Sequence, residues 1–227
     1  MKTLLKLLVV MSIPVSAWAL SLNDFSNQDA ALGLKEALTQ GVTKAVASLG
    51  TTDGFLGNPK VKISLPKKLA KAESVLRMAG MGDQADELIT AMNRAAEAAV
   101  PEAKPLLVNA VKSMTMDDAK AILSGGNDSV TKFFKDKTSA QLTEKFLPIV
   151  KKHTANVGLA QKYDELAGKG AQMGLIKPED AQVDNYVARA AMDGLFKMIG
   201  EEEKAIRANP MQAAGSMAKK IFGAMGQ

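Results

Sequence analysis

The chain has no cysteine, a single histidine and only 4% aromatic residues. The absence of cysteine excludes disulfides and thiol catalysis, so burial of apolar side chains must supply the stability. One histidine excludes zinc sites built on several imidazoles. Neither H-E-x-x-H nor G-x-S-x-G occurs, and Gly168-x-Gly170 lacks the third glycine of a dinucleotide-binding loop. These absences argue against a hydrolase or an oxidoreductase, and they predict neither a metal site nor a cofactor.

Long apolar runs are also missing, apart from a short one at the N-terminus. Lys2 and Lys6 precede an apolar stretch, and Ala17-Trp18-Ala19 follows it with the small-x-small pattern of a signal peptidase site. The stretch is shorter than the roughly 20 apolar residues that a membrane-spanning helix needs. The pattern predicts a signal peptide over residues 1–19, cleavage near Ala19, and a periplasmic or secreted protein that is soluble.

Charge of one sign is not concentrated anywhere in the chain. The formal net charge is +5, and loss of Lys2 and Lys6 with the signal peptide would lower it to +3. Binding to phosphates needs basic side chains clustered on one face, whereas lysine and glutamate alternate here. Nucleic acid is therefore not expected as a partner.

The composition is that of a helical protein, since alanine, leucine, lysine, glutamate and methionine recur with gaps of three and four. The sequence predicts an all-α, compact multi-helix bundle of eight or nine helices, in a single domain over residues 20–227. A first helix is expected over Asn27–Leu49 with Ser26 as its cap, and Thr115 with Asp118 forms a capping box. Further helices are predicted at 66–79, 83–99, 128–137, 139–157, 159–167, 184–208 and 210–225.

One stretch, near residues 53–65, does not fit a helical pattern. Gly54 and Gly57-Asn58-Pro59 indicate a turn. The apolar residues Val61, Ile63 and Leu65 then alternate with polar ones, which predicts a short extended strand.

Three ordered segments carry a resemblance to a known family. They are 92–97 (MNRAAE) with 101–104 (PEAK), 51–56 (TTDGFL), and 193–199 (DGLFKMI) with 201–204 (EEEK). Together they resemble the bacterial exported proteins of domain-of-unknown-function family 4197, over nearly all of the chain from about Leu32 to Phe222. The resemblance implies one all-helical exported domain, and it implies no activity.

Two ionisable residues fall on apolar stripes when their helices are projected at 100° per residue. His153 lies among the apolar residues of the 139–157 helix, and Glu202 lies near the middle of the stripe of the 184–208 helix. A buried carboxylate needs a partner or a raised pKa, so Glu202 is a candidate site residue, paired with Arg94, His153 or a lysine. In the alternative interpretation, Gly200 interrupts the helix and all three glutamates of 201–203 face water. The alternative for His153 is an internal histidine that has a hydrogen-bond partner and no chemical task.

A second candidate site lies on the polar face of the 83–99 helix. Asn93, Arg94 and Glu97, together with Glu102 and Lys104, could bind a carboxylate ligand through the arginine fork. The alternative is a solvated outer face of the bundle.

The chain is rich in methionine, and most methionines fall on apolar stripes, so they predict a methionine-rich core. The C-terminal helix at 210–225 is amphipathic and is expected to dock on the bundle. Peripheral contact with a membrane through that helix is the less favoured alternative.

Two functions remain open from the sequence. The favoured hypothesis is a non-catalytic binding or structural module of the cell envelope, with a protein or a small molecule as its partner. The alternative is an enzyme that uses a buried glutamate, Glu202, as general acid or base on a periplasmic substrate, with His153 as an assisting group.

Overall fold

A computed structural model describes residues 27–69, 73–74, 77–126, 128–155, 157–209, 211, 213 and 215–225. The side chains of residues 27, 68, 158, 159, 207 and 221–225 are not among those described. The predicted signal peptide at 1–19 and the predicted cap Ser26 lie outside the described residues.

The fold is all-α, as the sequence predicts, and the described residues contain no strand. The α-helices, numbered along the chain, are α1 (Asn27–Leu49), α2 (Gly82–Ala99), α3 (Ala103–Lys112), α4 (Met116–Leu123), α5 (Ser129–Thr154), α6 (Gly158–Gln172), α7 (Val183–Ala208) and α8 (Ser216–Met225). Short 3-10 turns occur at Lys67–Leu69, Val100–Glu102 and Pro178–Asp180. Residues 73–74 and 77–78 are also helical. No described helix combines the length and the hydropathy needed to cross a bilayer.

The long helices α5 and α7 pack against each other in opposite directions. Thr154 at the end of α5 hydrogen-bonds Asp184 at the start of α7, and Thr131 near the start of α5 reaches the carbonyl of Phe196. Helix α2 packs on both, and α1 packs on α7, α3, α4 and α8. Phe134 and Phe196 stack at 6.5 Å between ring centroids in the α5–α7 interface. The buried apolar side chains form one connected cluster between these helices.

Helix α5 corrects the prediction of two separate helices at 128–137 and 139–157. Thr138 is buried inside the continuous helix, and its hydroxyl donates to the carbonyl of Phe134 one turn earlier. Ser139 is therefore an interior position and not a new cap. Pro148 is tolerated within α5 because it lies on the exposed face, where water can replace the missing backbone hydrogen bond. The helix ends at Thr154, before the predicted end at Val157.

The capping box at the start of α4 is confirmed. The Thr115 hydroxyl accepts a hydrogen bond from the Asp118 N–H, and the Asp118 carboxylate accepts from the Thr115 N–H and hydroxyl. These hydrogen bonds from the backbone and the hydroxyl of Thr115 lower the pKa of the Asp118 carboxyl. The box therefore stabilises the folded chain most when Asp118 is ionised.

We expect Thr115→Ala to lower the free energy of unfolding by about 1 kcal/mol at neutral pH. The folded-state pKa of Asp118 is depressed, so the unfolded chain takes up the proton first as the pH falls. The contribution of the box is then present above about pH 4, the usual range of aspartate, and is lost as the pH falls through the lower folded-state value. Urea unfolding of both proteins at several pH values checks this, and a penalty for Thr115→Ala that stays constant down to acid pH would contradict it.

The C-terminal helix α8 docks on α1, as expected, but it begins at Ser216 and not at residue 210. Ala218 is fully buried, and its N–H donates to a carboxylate oxygen of Glu36 at 3.1 Å. A Cβ at Gly215 would lie 1.8 Å from that oxygen, so a larger residue there would displace the Glu36 carboxylate from its hydrogen bond to Ala218. Met211, which the amphipathic pattern placed on the docking face, is 74% exposed.

The prediction of a methionine-rich core holds only in part. Met92, Met114 and Met192 are buried. Four others are exposed: Met78, Met116, Met173 and Met211. Helical periodicity places a side chain on a face of its own helix, but burial depends on whether a neighbouring element covers that face.

Candidate functional site: a clamped loop

The stretch between α1 and α2 forms a loop, residues 51–65, which we call the clamped loop. Its first part is a series of turns, and residues 62–65 have no regular secondary structure. Val61 and Ile63 are buried while Lys62 and Ser64 are exposed, so the predicted alternation is confirmed. The predicted strand is wrong, because no strand pairs with this segment among the described residues, and the Asn93 side chain of α2 bonds its backbone instead.

Asn93 of α2 hydrogen-bonds both backbone polar groups of Ile63, as a neighbouring strand would. Its side-chain oxygen accepts from the Ile63 N–H at 2.8 Å, and its amide donates to the Ile63 carbonyl at 2.7 Å. The same amide also donates to the carbonyl of Ile89. Asn93 is completely buried, and these contacts satisfy the backbone polar groups of Ile63 away from water.

Glu97, one turn further along α2, holds the turn region of the loop. Its Oε1 accepts from the N–H groups of Phe55 and Leu56 at 3.0 and 3.1 Å. Its Oε2 accepts from Arg94 Nη1 at 2.6 Å, and Arg94 Nη2 reaches Asp53 Oδ1 at 2.7 Å. The Glu97 side chain is only 6% exposed, so its three hydrogen bonds, from Phe55, Leu56 and Arg94, stabilise a buried charge.

The arginine of this cluster lies at the boundary between the interior and solvent. The hydrogen bonds to Glu97 and then to Asp53 raise the pKa of Arg94, so the guanidinium remains charged. Asp53 has a φ of 65°, a left-handed conformation that aspartate tolerates better than most residues. The ion pair with Arg94 fixes Asp53 in this conformation at the exposed tip of the loop.

Helix α7 closes the loop from the other side. The Tyr186 hydroxyl donates to the Ser64 carbonyl at 2.6 Å, and Lys197 Nζ donates to the Lys60 carbonyl at 2.9 Å. At Gly194 the helix approaches the loop so closely that a Cβ would lie 2.9 Å from Cε1 of Phe55. The loop is therefore held between α2 and α7 through its backbone.

We expect Gly194→Ala to destabilise the protein by about 1–3 kcal/mol, because the new methyl group would overlap the buried ring of Phe55. The matched control is Gly168→Ala in α6, where no atom lies within 4 Å of the added Cβ. That substitution should stabilise the helix by up to about 1 kcal/mol through the higher helix propensity of alanine. Thermal unfolding of both variants checks the opposite signs, and two shifts of the same sign would contradict the close approach.

The polar face of α2 therefore lies under the loop, and the alternative of a solvated outer face is wrong for Asn93 and Glu97. The structure brings these two together with Arg94. Glu102 and Lys104 are exposed, at the 3-10 turn and the start of α3, and have no contact with the clamped loop among the interactions described. Sequence reasoning gave no role to Asp53 and Gly194, although both lie in the segments that carry the family resemblance.

The candidate Glu202 is not buried, which corrects the interior position predicted for it. Helix α7 runs without a break through Gly200, and Glu203 is the buried member of the triplet, at 4% exposure. Glu202 is part-exposed, and its carboxylate lies 3.3 Å from Lys44 Nζ of α1. Of the three partners predicted for Glu202, the structure therefore shows a lysine, and neither Arg94 nor His153. The buried residues of α7 follow one another at intervals of four: Leu195, Ile199 and Glu203. This row therefore departs gradually from the apolar face that a projection at 100° per residue predicts.

His153 is exposed on α5, so its predicted interior position is also wrong. The buried row of α5 runs through Phe146, Val150 and Thr154, again in steps of four. The interior position at this level of α5 is therefore occupied by Thr154. Both errors are one residue in the same direction, which points to one cause: α5 and α7 pack along their i, i+4 rows.

His153 and Glu202 lie at opposite ends of the α5–α7 pair. Thr154 contacts Asp184, and eighteen residues of α7 separate Asp184 from Glu202, which corresponds to about 27 Å along the helix. Proton transfer needs both groups within reach of one substrate atom. The structure therefore does not bring these two residues into a common site.

The fold and the loop define an all-helical protein in which three separate sequence segments meet: 51–56, 92–97 and 193–199. The chain belongs to the family described as "Protein of unknown function (DUF4197)", whose model matches residues 24–223. This confirms the resemblance inferred from those segments. No curated protein and no solved structure matches the chain.

Proposed function

We propose that this protein is a non-catalytic binding or structural module of the bacterial cell envelope. The surface that it presents to a protein partner is the loop surface, which consists of the exposed side chains of residues 51–60. The observation that carries the proposal is the clamp beneath that surface. Buried Glu97 and Asn93 direct their polar atoms to the backbone of a single loop.

The clamp fixes the loop before any partner binds. Loops are usually the more mobile parts of a fold and often carry its binding residues. Ordering such a segment during binding costs free energy, which a loop that is already rigid avoids. Thr51, Thr52, Asp53 and Lys60 are exposed on this segment and carry hydroxyl, carboxylate and ammonium groups, with Lys60 Nζ 3.5 Å from Glu201 Oε2.

The same contacts support a non-catalytic role for the polar cluster. Both oxygens of Glu97 accept hydrogen bonds from the chain itself, and Arg94 joins two carboxylates. The alternative of an enzyme based on Glu202 with His153 loses its support, because the two side chains are far apart and both reach solvent.

Site-specific cross-linking tests the loop surface. A photo-reactive amino acid at position 52 should give a discrete adduct in intact cells, whereas the same group at exposed Lys132 of α5 should not. The captured partner should bind the purified Glu97→Gln variant about tenfold more weakly, because the loop loses its charged anchor to Arg94. Equal cross-linking at both positions would overturn the assignment of the surface. A captured partner that binds the parent chain and the Glu97→Gln variant with the same affinity would also overturn it.

Export rests on the N-terminal pattern of lysines, apolar stretch and Ala17-Trp18-Ala19. We expect the protein recovered from the periplasm or the medium to begin at Leu20. Mass spectrometry of the intact protein checks this. Recovery of a chain that retains residues 1–19 in the cytoplasmic fraction would contradict the proposed location in the cell envelope.

A further inference from the structure

A second feature is a partly enclosed cleft between α5 and α7, which shares no residue with the loop surface. Its volume is about 380 Å³, within the range of small-ligand sites. Ala188 and Met192 of α7 are buried at its floor. Polar side chains from α5, α7 and the 3-10 turn at Pro178–Asp180 surround this apolar floor. The cleft therefore combines an apolar base with a charged rim.

The most constrained group on the rim is the guanidinium of Arg189. Asp180, which is buried, accepts hydrogen bonds from its Nε at 2.8 Å and from Nη2. These two contacts use the side-on edge of the guanidinium. The edge formed by Nη1 and the second hydrogen of Nη2 remains for another carboxylate, in the geometry that favours a forked pair. Asp180 thus fixes the plane of Arg189 without filling its second edge.

A second cation, Lys135, and two carboxylates, Glu179 and Asp193, complete the rim. Asp193 Oδ2 lies 3.6 Å from Arg189 Nη1, and Asp193 Oδ1 lies 3.7 Å from Lys135 Nζ of α5. Both distances exceed those of a hydrogen bond. Asp193 is half-exposed, and neither Arg189 nor Lys135 comes within hydrogen-bond distance of it in the described part of the chain. Asp193 therefore balances the two cations only loosely. A ligand carboxylate could approach the same two cations and bond them directly.

The charge of Arg189 is secure. Burial by itself lowers the pKa of Arg189, but the hydrogen bonds to Asp180 and the nearby carboxylates more than compensate, and the net direction is upward. The hydroxyl of Ser139 lies on the α5 wall of the cleft and the amide of Asn185 on its α7 wall. They add uncharged hydrogen-bonding groups beside the two cations.

We propose that the cleft between α5 and α7 binds a small organic carboxylate with a short apolar body. The carboxylate lies between Arg189 and Lys135, where it displaces Asp193, and the apolar body covers Ala188 and Met192. This site is independent of the loop surface, so either proposal can fail while the other stands.

Hexanoate and its neutral analogue hexanamide are suitable probes, because they differ only in the charged group. Titration of the full mature chain, followed by calorimetry or by NMR shifts of Met192 and Ala188, should show saturable binding of hexanoate and much weaker binding of hexanamide. Asp193→Asn removes the competing carboxylate and should tighten hexanoate binding about tenfold, as expected for loss of one nearby like charge. Lys135→Gln should weaken it several-fold.

Two further variants separate binding from folding. Arg189→Lys keeps a cation beside buried Asp180 but removes the fork, and it should weaken hexanoate binding about tenfold with the protein still folded. Lys132→Gln, at an exposed lysine on α5 that does not line the cleft, should leave the affinity unchanged. Asp53→Asn in the loop should also have no effect on hexanoate.

Equal binding of hexanoate and hexanamide would overturn the proposal. So would an Asp193→Asn variant that binds hexanoate no more tightly than the parent chain. If Lys132→Gln weakens binding as much as Lys135→Gln, the interaction is general attraction to a basic surface and the cleft is not the site.

Discussion

Replacement of Glu97 by alanine should lower the free energy of unfolding by about 3–5 kcal/mol, the range for removing one partner of a buried ion pair. The substitution leaves the N–H groups of Phe55 and Leu56 without an acceptor, and it leaves Arg94 with Asp53 alone. Phe55 is completely buried, so water cannot replace the lost acceptor without opening the loop. Denaturant unfolding of a chain that comprises residues 20–227 measures the loss.

Hydrogen exchange localises the effect of this change. In Glu97→Ala the amides of Phe55 and Leu56 should exchange much faster than in the parent chain, while amides in the middle of α5 should change only as global stability requires. Glu87→Ala on the exposed side of the same helix is the matched control and should alter stability by no more than about 0.5 kcal/mol. A loss for Glu97→Ala as small as this control would contradict the clamp.

Replacement of Asn93 by alanine should cost about 2–4 kcal/mol, because a buried donor and a buried acceptor of Ile63 lose their partner together. The expected signature differs from that of Glu97. Here the amide of Ile63 should become the fast-exchanging group, and those of Phe55 and Leu56 should remain comparatively protected.

Asn109→Ala on the exposed side of α3 is the control for this second substitution, and it should be neutral or slightly stabilising. If Asn93→Ala exposes the amides of Phe55, Leu56 and Ile63 equally, the loop opens as one unit. That result would contradict the expectation, drawn from their different backbone partners, that Asn93 and Glu97 hold separate parts of the loop.

The two anchors also explain why the family segments are separate in sequence. Glu97 and Phe55 are 42 residues apart, and Gly194 lies on yet another helix, against the ring of Phe55. The contact needs residues from all three segments, so no single segment of the sequence reveals it. One loop and the two helices that hold it therefore bring together the 51–56, 92–97 and 193–199 parts of the family segments.

Much of the helical structure could be predicted because its causes are local. The bounds of α1, Asn27–Leu49, match the prediction. The capping box of Thr115 and Asp118 needs only residues three apart, and it is present as predicted. The alternation of Val61 and Ile63 likewise predicted which side chains of the loop face inward.

The candidate site was predicted only in part. Asn93, Arg94 and Glu97 were recognised as a polar group on one helix face, because helical spacing alone places them together. Their partners could not be found in this way, since Ile63 and Phe55 are brought to them by the path of the whole chain.

Local patterns in the sequence therefore predict the helical class, the bounds of α1, α2 and α7 to within one residue, the cap of α4 and the family. Packing between the helices sets which residue of a helix turn is buried: Thr154 in place of His153, and Glu203 in place of Glu202. The physical reason is that helical periodicity defines a face only to within one residue. The neighbouring helix then selects the buried row, and here α5 and α7 bury rows that advance four residues at a time.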